Sequence, residues 1–327
     1  MRRRAFIAGL GGAVAWPLTA RGQQPAMPVL GFVSFGQREA ALQSSWYPAF
    51  HERLRDLGWV PGRNLSTEYR FADNKRERLL PLARDLVDLK PNAIFVPTRP
   101  ALPALKEATA TIPIVFVSLG DPVTEGWIAS LAKPGGNLTG VAGLSPELAG
   151  KRLELLRELL PSLSKVAVLW NPANTPEAVA IETTRAAARN LGMSLVIEQA
   201  TEPYDFRHAI AVILDRGAQS IVVLPDPMFL ANREQLVGLI GQSRIPAIYM
   251  ETGFVDAGGL ISYGPNFLEL FRLAATYVDK VLKGAKPNNL PVELPTTFEL
   301  EINLKTAKAI GVSVPTSILI SATKVIE

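Results

Sequence analysis

The chain has no cysteine and only two histidines, His51 and His208, in 327 residues. The first absence excludes disulfides, thiolate metal sites, iron–sulfur clusters, a cysteine nucleophile and a lipid anchor on an N-terminal cysteine. The second leaves little for a histidine-rich metal centre or a Ser-His-Asp triad, so neither metal nor cofactor is expected. Phosphate motifs are missing too. No glycine-rich loop runs into Lys-Ser/Thr, and no strand leads into three spaced glycines. Beyond the N-terminal segment, no run approaches the ~18 uninterrupted apolar residues of a membrane span.

A basic surface is also lacking, although the formal net charge is +4. Arg2, Arg3, Arg4 and Arg21 lie within the first 22 residues, which contain no acid. The rest of the chain carries 30 basic and 30 acidic residues. A neutral body with dispersed charge does not support a phosphate-tracking surface, so no nucleic-acid partner is expected.

What is present begins with an address. A basic start, the apolar stretch Phe6–Leu18 and the small residues Ala20 and Gly22 predict an export signal over residues 1–22, cleaved near Gly22. Arg3-Arg4-Ala5-Phe6-Ile7 is similar to a twin-arginine signal. The expected location is the periplasm.

After Pro28 short β-branched runs alternate with helical stripes. Strands are predicted at Val29–Phe35, Leu65–Tyr69, Ala93–Val96 and Ile114–Val117. The first helix between them carries Trp46, Phe50, Leu54 and Leu57 on one face. After a pause at Lys133–Asn137 a second series follows, with strands at Val166–Trp170, Leu195–Ile197, Ile221–Leu224 and Ala247–Tyr249. This βαβ rhythm predicts an α/β protein of two doubly wound, parallel-sheet lobes. The strand Leu260–Tyr263, the helical face from Phe267 to Leu282 and the strand Phe298–Ile302 remain after it. A strand and helix left over are expected to return and cover the first unit, giving a multi-crossing hinge. The expected division is 28–143 plus 262–290 for lobe I and 144–261 plus 291–327 for lobe II.

In open parallel sheets, ligands bind beyond the carboxyl ends of the strands. The residues there are Ser34 and Phe35, Thr98 and Arg99, Asp121, then Asn171 and Asn174, Asp226 and Tyr249, and Tyr263 in the strand Leu260–Tyr263 is a further candidate. Thr98, Asp121, Asn171 and Asp226 precede or sit beside prolines, the pattern of capped helix starts. Such starts aimed into a cleft take a ligand carboxylate. Asp121 is placed to accept an ammonium group, with Phe35, Tyr249 or Tyr263 flanking a side chain. Arg99 reads either as a ligand-facing cation or as a solvated loop residue. Asp121 and Asp226 read alternatively as an acid/base pair, the arrangement of an exported hydrolytic enzyme. His51 and His208 read as surface or half-buried residues, and Trp46, Phe50 and Trp59 as lobe core.

The dispersed stretches Gly62-Arg63-Asn64 with Glu68-Tyr69-Arg70, Ile112-Pro113-Ile114-Val115 with Asp121-Pro122-Val123, and Pro134-Gly135-Gly136-Asn137-Leu138-Thr139-Gly140-Val141 carry a resemblance. So do Gly258-Gly259-Leu260-Ile261-Ser262-Tyr263-Gly264, Leu282–Pro287 and Ile302–Ala307. Over nearly its whole length the chain resembles the substrate-binding components of ABC transporters in the family with tryptophan- and tyrosine-binding members. The resemblance implies a type I periplasmic-binding-protein fold and a non-catalytic, monomeric receptor. Such a receptor closes on a small-molecule solute and delivers it to an ABC transporter permease in the inner membrane. It implies Thr98, Asp121 and Asn171 in the cleft. An aromatic amino acid is the leading solute, and a small carboxylate held by Arg99 is second. A ligand-sensing domain on the same scaffold is the further alternative.

Overall fold

The computed structural model describes residues 27–118, 120–143, 146–173 and 177–327. The proposed export signal and Asn174 lie outside these residues.

Lobe I is built from β1 (Val29–Ser34), α1 (Arg38–Gln43), α2 (Trp46–Asp56), β2 (Ser66–Phe71), α3 (Leu79–Asp88), β3 (Ala93–Val96), α4 (Leu102–Ala108), β4 (Ile114–Ser118) and β5 (Leu138–Ala142). Its sheet has the order β2-β1-β3-β4-β5, parallel throughout. The central strands are apolar on both faces because helices cover both faces. Leu30 and Phe32 point into one buried cluster, with Val33 in the other. Phe50 of α2 stacks on Phe95 of β3 at 4.1 Å between ring centroids.

Lobe II continues with α5 (Pro146–Leu159), β6 (Lys165–Trp170), α6 (Glu177–Asn190), β7 (Ser194–Gln199), α7 (Phe206–Asp215), β8 (Ser220–Val223), α8 (Pro227–Ala231), α9 (Arg233–Gln242), β9 (Ala247–Tyr249), α10 (Gly253–Asp256) and β10 (Ile261–Pro265). Then α11 (Phe267–Leu282) leaves and β11 (Phe298–Asn303), α12 (Leu304–Ile310), α13 (Thr316–Ser321) and β12 (Lys324–Ile326) return. The second sheet has the order β12-β11-β10-β9-β8-β6-β7. Strands β6 to β10 thus repeat the order of β1 to β5, an architectural repeat without a residue-level one.

Several expectations need correction. β10 does not cross to the first lobe. It pairs with β9 and, antiparallel, with β11, so the second sheet is mixed and the crossing expected at Ser262 falls after Pro265. What crosses is α11. Asn266 caps it by accepting from the Glu269 amide at 2.9 Å. Leu270, Phe271, Ala274, Val278 and Val281 then bury a helical stripe against α2 and the first sheet, each large side chain worth about 1.5–3 kcal/mol. The return expected at Leu290 comes later, because Glu293 still bonds to β5 through its backbone, donating to Gly140 and accepting from Ala142. β5, α12, α13 and β12 are elements beyond those read from the sequence. His51 is buried at 6 % exposure, beside Tyr47 and Phe50 and bonded to the Tyr69 hydroxyl, rather than at the surface.

Candidate functional site

In both lobes the strand order reverses at the first strand, between β1 and β3 and between β6 and β8. The crevice outside such a reversal is where this architecture takes ligands. The two crevices face each other across a cleft of about 820 Å³. Ser34, Thr98, Arg99 and Asp121 line it from the first lobe, and Asn171 and Asp226 from the second. These six are brought together as expected from their positions after strands.

Local bonds hold most of them. The Thr98 hydroxyl accepts from the Phe35 amide at 2.9 Å, tying the end of β1 to the end of β3. Asp121 accepts from the amides of Val123 and Thr124 and from the Thr124 hydroxyl at 2.9, 3.3 and 2.5 Å. The hydroxyl bond, with the two amides, holds its carboxyl below the ordinary range. Asn171 accepts from the Ala173 amide at 2.9 Å. Asp226 caps α8, accepting from the amides of Met228 and Phe229 at 2.8 and 3.1 Å.

The capped starts are short. Asp226 opens a helix of five residues, and Thr98 precedes a 3₁₀ turn at Arg99–Ala101 without capping it by its side chain. A macrodipole is a sum over aligned peptides, so such elements contribute little field. Positive charge on the cleft wall comes instead from arginines. Arg99 is ion-paired: its Nε donates to Glu125 Oε2 at 2.5 Å, and Trp127 Nε1 donates to the same oxygen at 2.7 Å. Gly120 makes room for this pair, because a Cβ there would stand 2.0 Å from Glu125 Oε1.

Three aromatic side chains expected at the site lie elsewhere. Phe35 is 1 % exposed in the core of lobe I. Tyr249 is buried and stacks on Phe254 at 4.8 Å. Tyr263 stacks on Phe298 and opens on a smaller cavity of about 310 Å³ behind the second sheet. The aromatic wall is made by Trp46, Trp170, Phe267 and Phe271. Trp46 serves both core and cleft, stacking on Phe271 at 4.5 Å.

Six further charged residues line the cleft without having been singled out in the sequence: Glu125, Arg152, Glu182, Arg233, Glu251 and Asp256. Glu251 stands two residues past the end of β9, so its strand-end position was a usable signal. Burial, then the charge of Asp226, pushes its carboxyl up to about 7, against the opposing pull of Arg233. Arg152 sits in the middle of α5 and its Nε donates to the Tyr263 carbonyl at 2.8 Å. No strand-end rule points to it.

A two-lobe α/β scaffold with an interlobe cleft carrying aromatic surface and charges of both signs is that of a solute-binding protein. The model of the ABC transporter substrate binding protein family matches residues 39–326, and the chain belongs to that family. That family is one of solute-binding proteins rather than enzymes. The chain is 27% identical over 263 residues to a tyrosine-binding protein of Clostridioides difficile, a match spanning 80% of this chain and 75% of that one. A conserved domain protein from Vibrio cholerae is 27% identical with a TM-score of 0.84, covering 91% of this chain and 99% of the other. An ABC domain from Streptococcus pneumoniae in complex with L-Trp has 22% identity and a TM-score of 0.81 over the same shares. These likenesses bear out the type I periplasmic-binding fold.

Proposed function

We propose that the chain is the exported receptor of an ABC importer, binding an aromatic amino acid between its lobes and handing it to an inner-membrane permease. The observation that carries this reading is the composition of the cleft. Trp46, Trp170, Phe267 and Phe271 offer flat apolar surface for a ring. Asp121, Asp226 and Glu251 offer acceptors for an ammonium group, and lining arginines offer donors for a carboxylate. The tyrosine-binding relative and the neighbour solved with L-Trp favour the same solute class. A small carboxylate caught by Arg99 is less well supported, since Glu125 engages that guanidinium. The leader over residues 1–22 supports export to the periplasm.

A thermal-shift panel with isothermal titration tests the solute class. A ligand that binds only the folded chain stabilises it by about 2.7 kcal/mol at a concentration one hundred times its Kd. L-Tyr or L-Trp is expected to raise the melting temperature saturably, and glycine or a hexose is not. Absence of a shift with every amino acid and small carboxylate would remove the proposed class.

A further inference from the structure

Arg152 is 2 % exposed, although it lines the cleft. Its Nε is satisfied by the Tyr263 carbonyl at 2.8 Å, but its Nη2 is buried and has no hydrogen-bond partner. Among the described residues no carboxylate lies within ion-pairing distance of it, whereas Arg99 faces Glu125, and Arg233 donates to the Leu230 carbonyl and stands beside Glu251. A buried guanidinium without a counter-charge is costly to hold, and it is strongly stabilised once an anion reaches it. Burial lowers its pKa to about 9, against an opposing pull from Tyr263.

We infer that Arg152 is the carboxylate anchor of the cleft, its Nη2 donating to a carboxylate oxygen of the bound solute. The inference rests on the solute reading above and sharpens it: the anionic end of the molecule is held by lobe II, from the middle of α5. The fork of a guanidinium suits a planar carboxylate, and its fixed Nε bond to β10 pre-sets the orientation of the remaining donors. The anchor stands close to the chain crossings, since α5 begins at Pro146 and Tyr263 lies three residues before Asn266. A solute held there sits at the base of the cleft, where both lobes can close over its other end.

The test compares L-tyrosine, tyramine and 3-(4-hydroxyphenyl)propionate by isothermal titration against the wild type, Arg152→Met and Arg152→Lys. The wild type is expected to prefer tyrosine to tyramine, which lacks the carboxylate, by on the order of 100-fold. In Arg152→Met that preference collapses while tyramine binding is unchanged, and Arg152→Lys recovers part of it. The ligand-free melting temperature of Arg152→Met should not fall below the wild type beyond the loss of one hydrogen bond, because an uncompensated charge is removed with it. If Arg152→Met fails to fold, the Lys variant carries the comparison, and full tyrosine affinity there with unchanged discrimination overturns the anchor. Tyrosine binding undiminished in both variants overturns the anchor and leaves the solute reading standing. Binding of the propionate but not of tyrosine, lost in the Met variant, keeps the anchor and removes the amino-acid reading. A wild type that takes none of the carboxylates overturns both.

Discussion

Glu251, half-buried in the cleft wall, and His51, buried in lobe I, titrate in opposite senses. Glu251 has its folded pKa raised to about 7, so the folded state holds a proton that the unfolded chain has released above about 4.5. Its contribution to stability therefore declines as pH rises from about 4.5 to 7. His51 has its folded pKa lowered to about 4, chiefly by burial and then by Arg55, so the unfolded chain takes up a proton first as pH falls below 6.5. That contribution declines in the acid direction over nearly the same window. The two slopes offset each other in the wild type. Glu251→Gln is expected to raise the melting temperature at pH 8, to change it little at pH 4.5, and to expose the acid decline belonging to His51. Thermal melts across pH 4–8 check this; a flat profile in the variant would refute it. The residues legible from sequence were those whose place is fixed by a rule, after a parallel strand: Ser34, Thr98, Arg99, Asp121, Asn171 and Asp226. Phe35 and Tyr249 obey the same rule along the chain, but their side chains turn into the core, where an aromatic ring gains more by burial. Arg152 follows no local rule, because its place depends on how α5 packs on β10.

At the scale of elements, β5 shows how a strand can be hidden. Gly140 sits in its middle with φ +149°, and a Cβ there would lie 2.1 Å from the Phe116 carbonyl oxygen of β4. A glycine interrupts the apolar alternation by which strands are recognised, yet here only glycine permits the two strands to approach. Gly140→Ala is expected to destabilise lobe I by several kcal/mol or prevent soluble expression, through backbone strain and steric conflict together. Gly136→Ala, which meets nothing within 4 Å, is the control; equal urea midpoints for the two variants would contradict this account. The long helix α11 was legible because its apolar stripe is strong, and it packs on lobe I, where the surplus of elements after the second series rather than its periodicity had put it. Periodicity says that a face is buried and is silent on which sheet buries it. For the same reason β10 was expected to follow α11 and instead remained with β9.

Across the whole molecule, the lobes touch at the rim of the cleft as well as through the crossings. Arg76, in the 3₁₀ turn Arg76–Arg78 of lobe I, donates through Nε at 2.9 Å and also through Nη2 to the Ala173 carbonyl of lobe II. Hinge closure around a ligand is the expected motion of two lobes joined this way, and this pair of bonds biases it towards the closed form. Arg76→Ala is expected to increase the ligand-free radius of gyration in small-angle scattering and to speed solute dissociation, while saturating solute restores the compact form. Identical scattering curves for variant and wild type without solute would exclude a latch here. The neutral body inferred from the charge count suits this arrangement, since no net repulsion separates the lobes.

The threading of the chain between lobes bears on how the protein is made. Lobe I is not finished by residue 143; it needs α11 and the segment at Val292 and Glu293, which pairs with β5. Lobe II is not finished by residue 265; it needs β11 and β12, the last of which ends at Ile326. Domains fold in order of synthesis when each is a contiguous stretch, and here neither is. A ribosome must deliver almost the entire polypeptide before either core can seal, and a premature stop anywhere before β11 deprives lobe II of the strand that flanks β10.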